Sequence, residues 1–225
     1  MGPETILNNE TVLHLDTTTA QLHVALSQDG RFLFEQCLPC ESHRYHSAML
    51  VPAIQELLKS AGLSVNALTA LAVNQGPGSF TGIRTGVITA RTMAQFLKVP
   101  VYQFNAFELL AAQHDAPVAV YLDALRGRAY HAHLQIEPSG TRYQQAPTLV
   151  QLEAAALPDA DTLCIISPGL AESFSGRSVH LIAEDWRPQA TMLRLMGQNP
   201  AAYRQDWSAV RPLYIQEPSI TLKKK

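Results

Sequence analysis

The chain has 225 residues, 47% of them apolar, enough to build one large α/β domain or two small ones. A formal charge of −2 and a pI near 6.4 argue against a protein that grips nucleic acid on a basic face of its own. Three cysteines are too few for a disulfide scaffold, no apolar run approaches about 18 residues, and a reducing cytoplasm fits best.

Residues 1–10 lack the basic and apolar regions of a leader and read as a flexible extension. Val12–Thr17, Gln21–Ser27 and Arg31–Leu38 are short alternating or β-branched runs, with Asp29-Gly30 as the hairpin turn between the last two. Cys37-Leu38-Pro39-Cys40 is a CxxC with no second pair, so it reads as incidental thiols at a strand end. A helix is predicted over His43–Ala61. Its Ser47, Leu50, Val51, Ile54, Leu57, Leu58 and Ala61 fall on one face, and Pro52 predicts a start or a kink. Ala70–Asn74 reads as a strand and is followed by the string Gly76-Pro77-Gly78-Ser79-Phe80-Thr81-Gly82-Ile83-Arg84-Thr85-Gly86. From Ser79 to Leu97, Phe80, Ile83, Val87, Ala90, Ala94 and Leu97 recur at helical spacing as one buried face. Val99–Phe104 is the next strand, and Asn105 caps a helix running to His114.

A second unit begins near Pro117. Val118–Leu122 and Ala129–Ile136 read as strands around the turn Asp123–Gly127. Strands at Thr162–Ile166 and Val179–Ile182 and a helix near Ala190–Met196 complete the pattern. These elements predict two related α/β lobes, 11–110 and 111–220, before a basic tail at 221–225.

The glycine string reads either as a phosphate loop or as a helix-packing device. No lysine follows the glycines as a Walker loop requires, and Gly76, Gly78 and Gly82 run GxGxxxG rather than GxGxxG. Asp16, Thr17, Gly76, Gly78 and Ser79 remain the candidates for nucleotide or anion binding, since an acid and hydroxyls at a strand end adjoin a helix start there. Asp123, closing the first strand of the second unit, occupies an analogous place. Gly82, Gly86, Ala90 and Ala94 repeat every four residues, a ridge suited to close approach by another backbone. That backbone belongs either to the chain's own sheet or to another subunit flanked by Arg84 and Arg91. If a subunit docks there, Gly86→Leu leaves the monomer folded and abolishes binding. His43 and His46 with Glu41 offer no third metal ligand, and His14, His23, His131 and His133 read as buried or edge histidines. No catalytic residue, metal or other cofactor is predicted, and Ser79 reads as a helix cap.

Leu13-His14-Leu15-Asp16-Thr17, the helix start from His46 to Pro52, GPGSFTGIRTG and the closing Arg211-Pro212-Leu213-Tyr214-Ile215 together resemble the bacterial TsaB family, also called YeaZ. The resemblance implies an actin-like, ribonuclease-H-related (ASKHA) fold of two α/β lobes. It also implies a non-catalytic partner of TsaD, which transfers threonylcarbamoyl to the adenosine beside the tRNA anticodon. TsaD holds its metal with an HxxxH pair; Ala106 and Leu110 stand at those positions here. The implied partners are a TsaD-type transferase, met through the helices near 45–61 and 79–97, and a TsaE-type ATPase, with tRNA reached only through the complex and no membrane. His46, Leu50, Gly82, Arg84, Gly86, Ala90, Arg91 and Ala94 are the candidate interface residues. Gln216 stands where family members often have arginine. The alternatives are an actin-like ATPase, a metallopeptidase of the kind once assigned to this superfamily, and a homodimer using the same helices.

Overall fold

The computed structural model describes residues 7–39, 45–152 and 162–216. The Cys40 half of the CxxC, Glu41, His43 and the lysine tail lie outside the described residues.

Two sheets organise the chain. The first contains β1 (Thr11–Asp16), β2 (Gln21–Gln28), β3 (Arg31–Pro39), β4 (Ala70–Asn74), β5 (Val101–Phe104) and β11 (Arg204–Gln205), in the order β11-β5-β4-β1-β2-β3. The second contains β6 (Val118–Asp123), β7 (Arg128–Glu137), β8 (Gly140–Gln151), β9 (Leu163–Ile166) and β10 (His180–Leu181), in the order β10-β9-β6-β7-β8. Both follow one plan. A three-stranded antiparallel meander is extended, beside its first strand, by a parallel strand and then another.

Strand alternation divides the first lobe into two cores. Leu13, Leu15, Leu71 and Val73 face α1 (Tyr45–Ser60) and α2 (Phe80–Leu97), while Val12, Ala70, Ala72, Tyr102 and Phe104 face the opposite side. There α4 (Pro188–Gln198) and α5 (Pro200–Tyr203) contribute Met192, Leu195, Met196 and Tyr203, so the chain returns from the second sheet to pack on the first. Between the sheets lies α3 (Ala106–Ala111). Its Leu109 joins the core of the first sheet, and its Phe107, Leu110 and Ala111 join that of the second. A 3-10 helix, Pro168–Phe174, covers the other face of the second sheet through Leu170 and Phe174.

Several local expectations change in three dimensions. Pro52 lies inside an unbroken α1; it and Ala48, whose carbonyl loses its helical partner, are both exposed, so water can satisfy that carbonyl. Val51, expected on the inner face of α1, is 52% exposed. Residues 7–10 are tied down rather than flexible: Leu7 is buried, and the Glu10 carboxylate accepts hydrogen bonds from Tyr102 Oη at 3.0 and 3.1 Å. The register of β3 shifts at Leu33, where Phe32 and Phe34 pair with the consecutive residues Ser27 and Leu26, and this bulge blunts an edge strand.

Candidate functional site

Asp16 and Asn74 are the last residues of the parallel neighbours β1 and β4, and α2 starts just beyond. In open α/β sheets a ligand crevice lies at such carboxyl ends. Asp16, Thr17, Gly76, Gly78 and Ser79 do come together here, joined by Thr18 and Asn74.

The crevice is filled by the chain itself. Asp16 Oδ1 accepts from the Thr18 amide at 2.8 Å and the Thr18 hydroxyl at 2.7 Å, and Oδ2 accepts from Asn74 Nδ2 at 2.8 Å. Asn74 Oδ1 accepts from the Gly76 amide at 3.0 Å. Thr17 Oγ1 donates to the Gly82 carbonyl at 2.7 Å, and the Ser79 amide donates to the Thr18 carbonyl at 2.9 Å. Ser79 caps α2 as expected, its hydroxyl accepting from the Gly82 amide at 3.3 Å. Asp16, Thr17, Thr18 and Asn74 are all buried. His23 lies opposite Asp16 in the β1–β2 register; burial pushes its pKa down against the upward pull of the Asp16 carboxylate. Around Asp16 the polar groups of Thr18, Asn74 and Gly76 are engaged with one another.

The small-residue ridge serves this closure. A β-carbon on Gly82 would lie 2.0 Å from the Thr17 carbonyl oxygen, one on Gly78 2.2 Å from that of Thr18, and one on Gly86 2.4 Å from Thr17 Oγ1. Gly82 and Gly86 pack on the chain's own β1–β2 turn, while Ala90 and Ala94 continue into the core. This corrects the reading of the ridge as a subunit contact. His46 and Leu50 are buried as well, with His46 Nε2 3.3 Å from the Gln21 carbonyl. Of the eight candidate interface residues, only Arg84 is exposed and Arg91 half-exposed.

On the outer face of the helix pair, Val51 of α1 and, on α2, Ile88 and Phe96, neither of which was singled out from the sequence, are 52%, 50% and 80% exposed. The complement of the buried period on α2, at Thr81, Arg84, Ile88, Thr92 and Gln95, carried that signal for Ile88.

At the helix start, Phe80 stacks on Tyr214 with ring centroids 4.9 Å apart, and the Leu213 amide donates to the Gln75 carbonyl at 2.8 Å. The closing Arg-Pro-Leu-Tyr-Ile segment is thus strapped onto the glycine loop.

Asp123 caps a turn, with Oδ1 accepting from the Leu125 amide at 2.7 Å. Ala106 and Leu110 are buried on α3. Asn105 and Glu108 form a reciprocal capping box there, and Glu108 also accepts from Thr141 at 3.0 Å. Burial raises the Glu108 pKa, partly offset by these hydrogen bonds. His14, His23 and His131 are buried, as read from the sequence, and burial drives His14 down to about 3. Among the described residues no three His, Cys, Asp or Glu side chains gather at metal-binding distance, and no helix is long and apolar enough to cross a membrane.

The paired sheets define a two-lobed α/β protein in which the carboxyl ends of β1 and β4 pack on the chain's own turn and on the start of α2. The family model described as TsaD, tRNA N6-adenosine threonylcarbamoyltransferase, matches residues 34–179. The chain is 32% identical over 123 residues to the tRNA threonylcarbamoyladenosine biosynthesis protein TsaB of Bacillus subtilis, covering 53% of each. It is 32% identical over 136 residues to TsaB of Escherichia coli, covering 57% of each. The chain spans about half the length of the curated relatives it matches. The solved structure of YeaZ from Pseudomonas aeruginosa superimposes with a TM-score of 0.73 at 28% identity, over 91% of this chain and 99% of that one. A second Pseudomonas aeruginosa structure, described as an uncharacterized protein with similarity to peptidase YEAZ, gives 0.74 at 28% identity over 92% and 100%. The chain belongs to the TsaB, or YeaZ, family, paralogous to TsaD.

Proposed function

We propose that this chain is a non-catalytic scaffold subunit that docks a TsaD-type transferase and supports threonylcarbamoylation of the adenosine next to the tRNA anticodon. The observation that carries this reading is the closure of the crevice, in which Asp16, Thr17 and Asn74 spend their polar atoms on the chain's own turn. Ala106 and Leu110, buried where the paralogue has metal histidines, support it. The same two-sheet plan in both halves supports an actin-like, ribonuclease-H-related ancestry, with lobes at 11–110 and 111–220. In this reading the exposed α1–α2 face meets the transferase, a TsaE-type ATPase joins the pair, tRNA enters through the complex, and the assembly works in the cytoplasm.

Reconstitution tests it. The chain alone is expected to turn nothing over. Added to a TsaD-type transferase, TsaE, threonylcarbamoyl adenylate and tRNA, it is expected to restore modification. ATP or peptide hydrolysis by the isolated chain that disappears in Asp16→Asn would instead make it an enzyme.

A further inference from the structure

The face of the first sheet that α4 covers is polar at one end. By strand alternation His14 on β1 and His23 on β2 lie opposite Leu13, Leu15, Leu22 and Val24, on the side of Val12. His14 pairs with Ala25 and His23 with Asp16, so the two histidines are diagonal neighbours on that side. α4 crosses above them. Arg187, the residue at its N-cap, bridges to Glu35 of β3 at 3.1 Å, and Met192 packs in one core with Val12 of β1 and Ala72 of β4. Gln189, between those two anchors, therefore stands over β2 and β1.

His14, His23 and Gln189 are each no more than 3% exposed. Each keeps one polar atom without a hydrogen-bond partner among the described residues: His14 Nδ1, His23 Nδ1 and Gln189 Oε1. The other nitrogen of His14 is engaged, with Nε2 2.8 Å from Ser27 Oγ. Burial pushes the pKa of both histidines down, so their open nitrogens belong to neutral rings. Native chains leave few such atoms unpaired, and three beneath one helix end call for a partner they share. We infer that one or more ordered water molecules are bound between the first turn of α4 and the β1–β2 pair, hydrogen-bonded to Gln189 Oε1 and to the Nδ1 atoms of His14 and His23. The chemistry of the three atoms selects water. Gln189 Oε1 only accepts, a neutral imidazole nitrogen donates or accepts according to its tautomer, and water with two donors and two acceptors serves either combination. A metal ion takes three or four protein ligands, whereas no three His, Cys, Asp or Glu side chains gather for one among the described residues. α4 is then held by apolar packing through Met192, Leu195 and Met196 at one end and by water at the other.

Oxygen-17 magnetic relaxation dispersion tests this on the full chain, because it counts water molecules held inside a protein for longer than the protein tumbles. The count is expected to fall by at least one from wild type to Gln189→Met/His23→Leu, with a cooperative thermal melt showing that the variant folds. An unchanged count overturns the inference. Where the double variant does not fold, the count in Gln189→Met alone decides in the same way.

Stability gives a second reading. Methionine nearly matches glutamine in volume and removes the acceptor. With water in the site, Gln189→Met strips that water of a partner, and the urea midpoint is expected to fall at unchanged slope. A midpoint that holds or rises means that Oε1 was bare, since deleting a buried unpaired acceptor costs nothing, and it overturns the inference. The water also couples the two positions, so Gln189→Met/His23→Leu is expected to lose less than the two single variants summed. Strict additivity would leave no shared partner and counts equally against it.

Discussion

Gly82 has no room for a methyl group, because its β-carbon would sit inside the van der Waals radius of the Thr17 carbonyl oxygen. Gly82→Ala is therefore expected to lower stability by about 2–4 kcal/mol, read as a fall in the urea midpoint at unchanged slope. Gly86→Leu belongs with it: the loss falls on folding, not selectively on partner binding. The spacing of these glycines was legible in the sequence. The identity of the backbone they approach was not, because Thr17 is about 65 residues away and only the fold brings it near. Glu108 permits a test of the opposite sign. Its folded pKa is raised by burial, so the native carboxyl keeps a proton that the unfolded chain releases near 4.5. Its contribution is most favourable below 4.5 and declines as pH rises through the folded value. Glu108→Gln, which keeps the acceptor for the Asn105 amide, is expected to raise Tm at neutral pH and remove that decline.

At the scale of elements, α1 and α2 each set an inner face in the core of the first lobe and leave an outer face exposed, the face that the proposed function uses for docking. Ile88→Asp is expected to leave the monomer's stability within about 0.5 kcal/mol, since the residue is half exposed. Affinity for a TsaD-type partner is expected to fall at least tenfold, measured by calorimetric titration. An unchanged affinity would move the docking surface elsewhere. The long periodic helices and the hairpin strands were legible from the sequence because burial imposes a clear period on one face. β8 was not. It is an edge strand, largely exposed on both faces, and its Pro147 lies where pairing with β7 becomes irregular, so neither alternation nor a breaker rule marks it. The two-residue β11 likewise takes its form from its neighbour β5 rather than from any local pattern.

For the whole molecule, buried histidines set the response to acid. His14 falls from 6.5 to about 3, and burial shifts His23 and His131 in the same direction. The native state refuses protons that the unfolded chain accepts, so their contribution is fully present above about 6.5 and is lost as pH falls toward the folded values. Glu108 opposes this over part of the range, but one carboxyl stands against three imidazoles. Tm is expected to drop steadily from pH 6.5 to pH 4, and His14→Gln to shallow that slope; a flat profile would contradict buried neutral histidines. The joint between the lobes has a mechanical meaning as well. Leu109 is rooted in one core and Phe107, Leu110 and Ala111 in the other, so α3 ties the two sheets together. Domain pairs around a cleft commonly turn ligand binding into a hinge stroke. Here α3 packs into both cores, so a hinge stroke between the sheets would have to unseat buried apolar side chains from one of them.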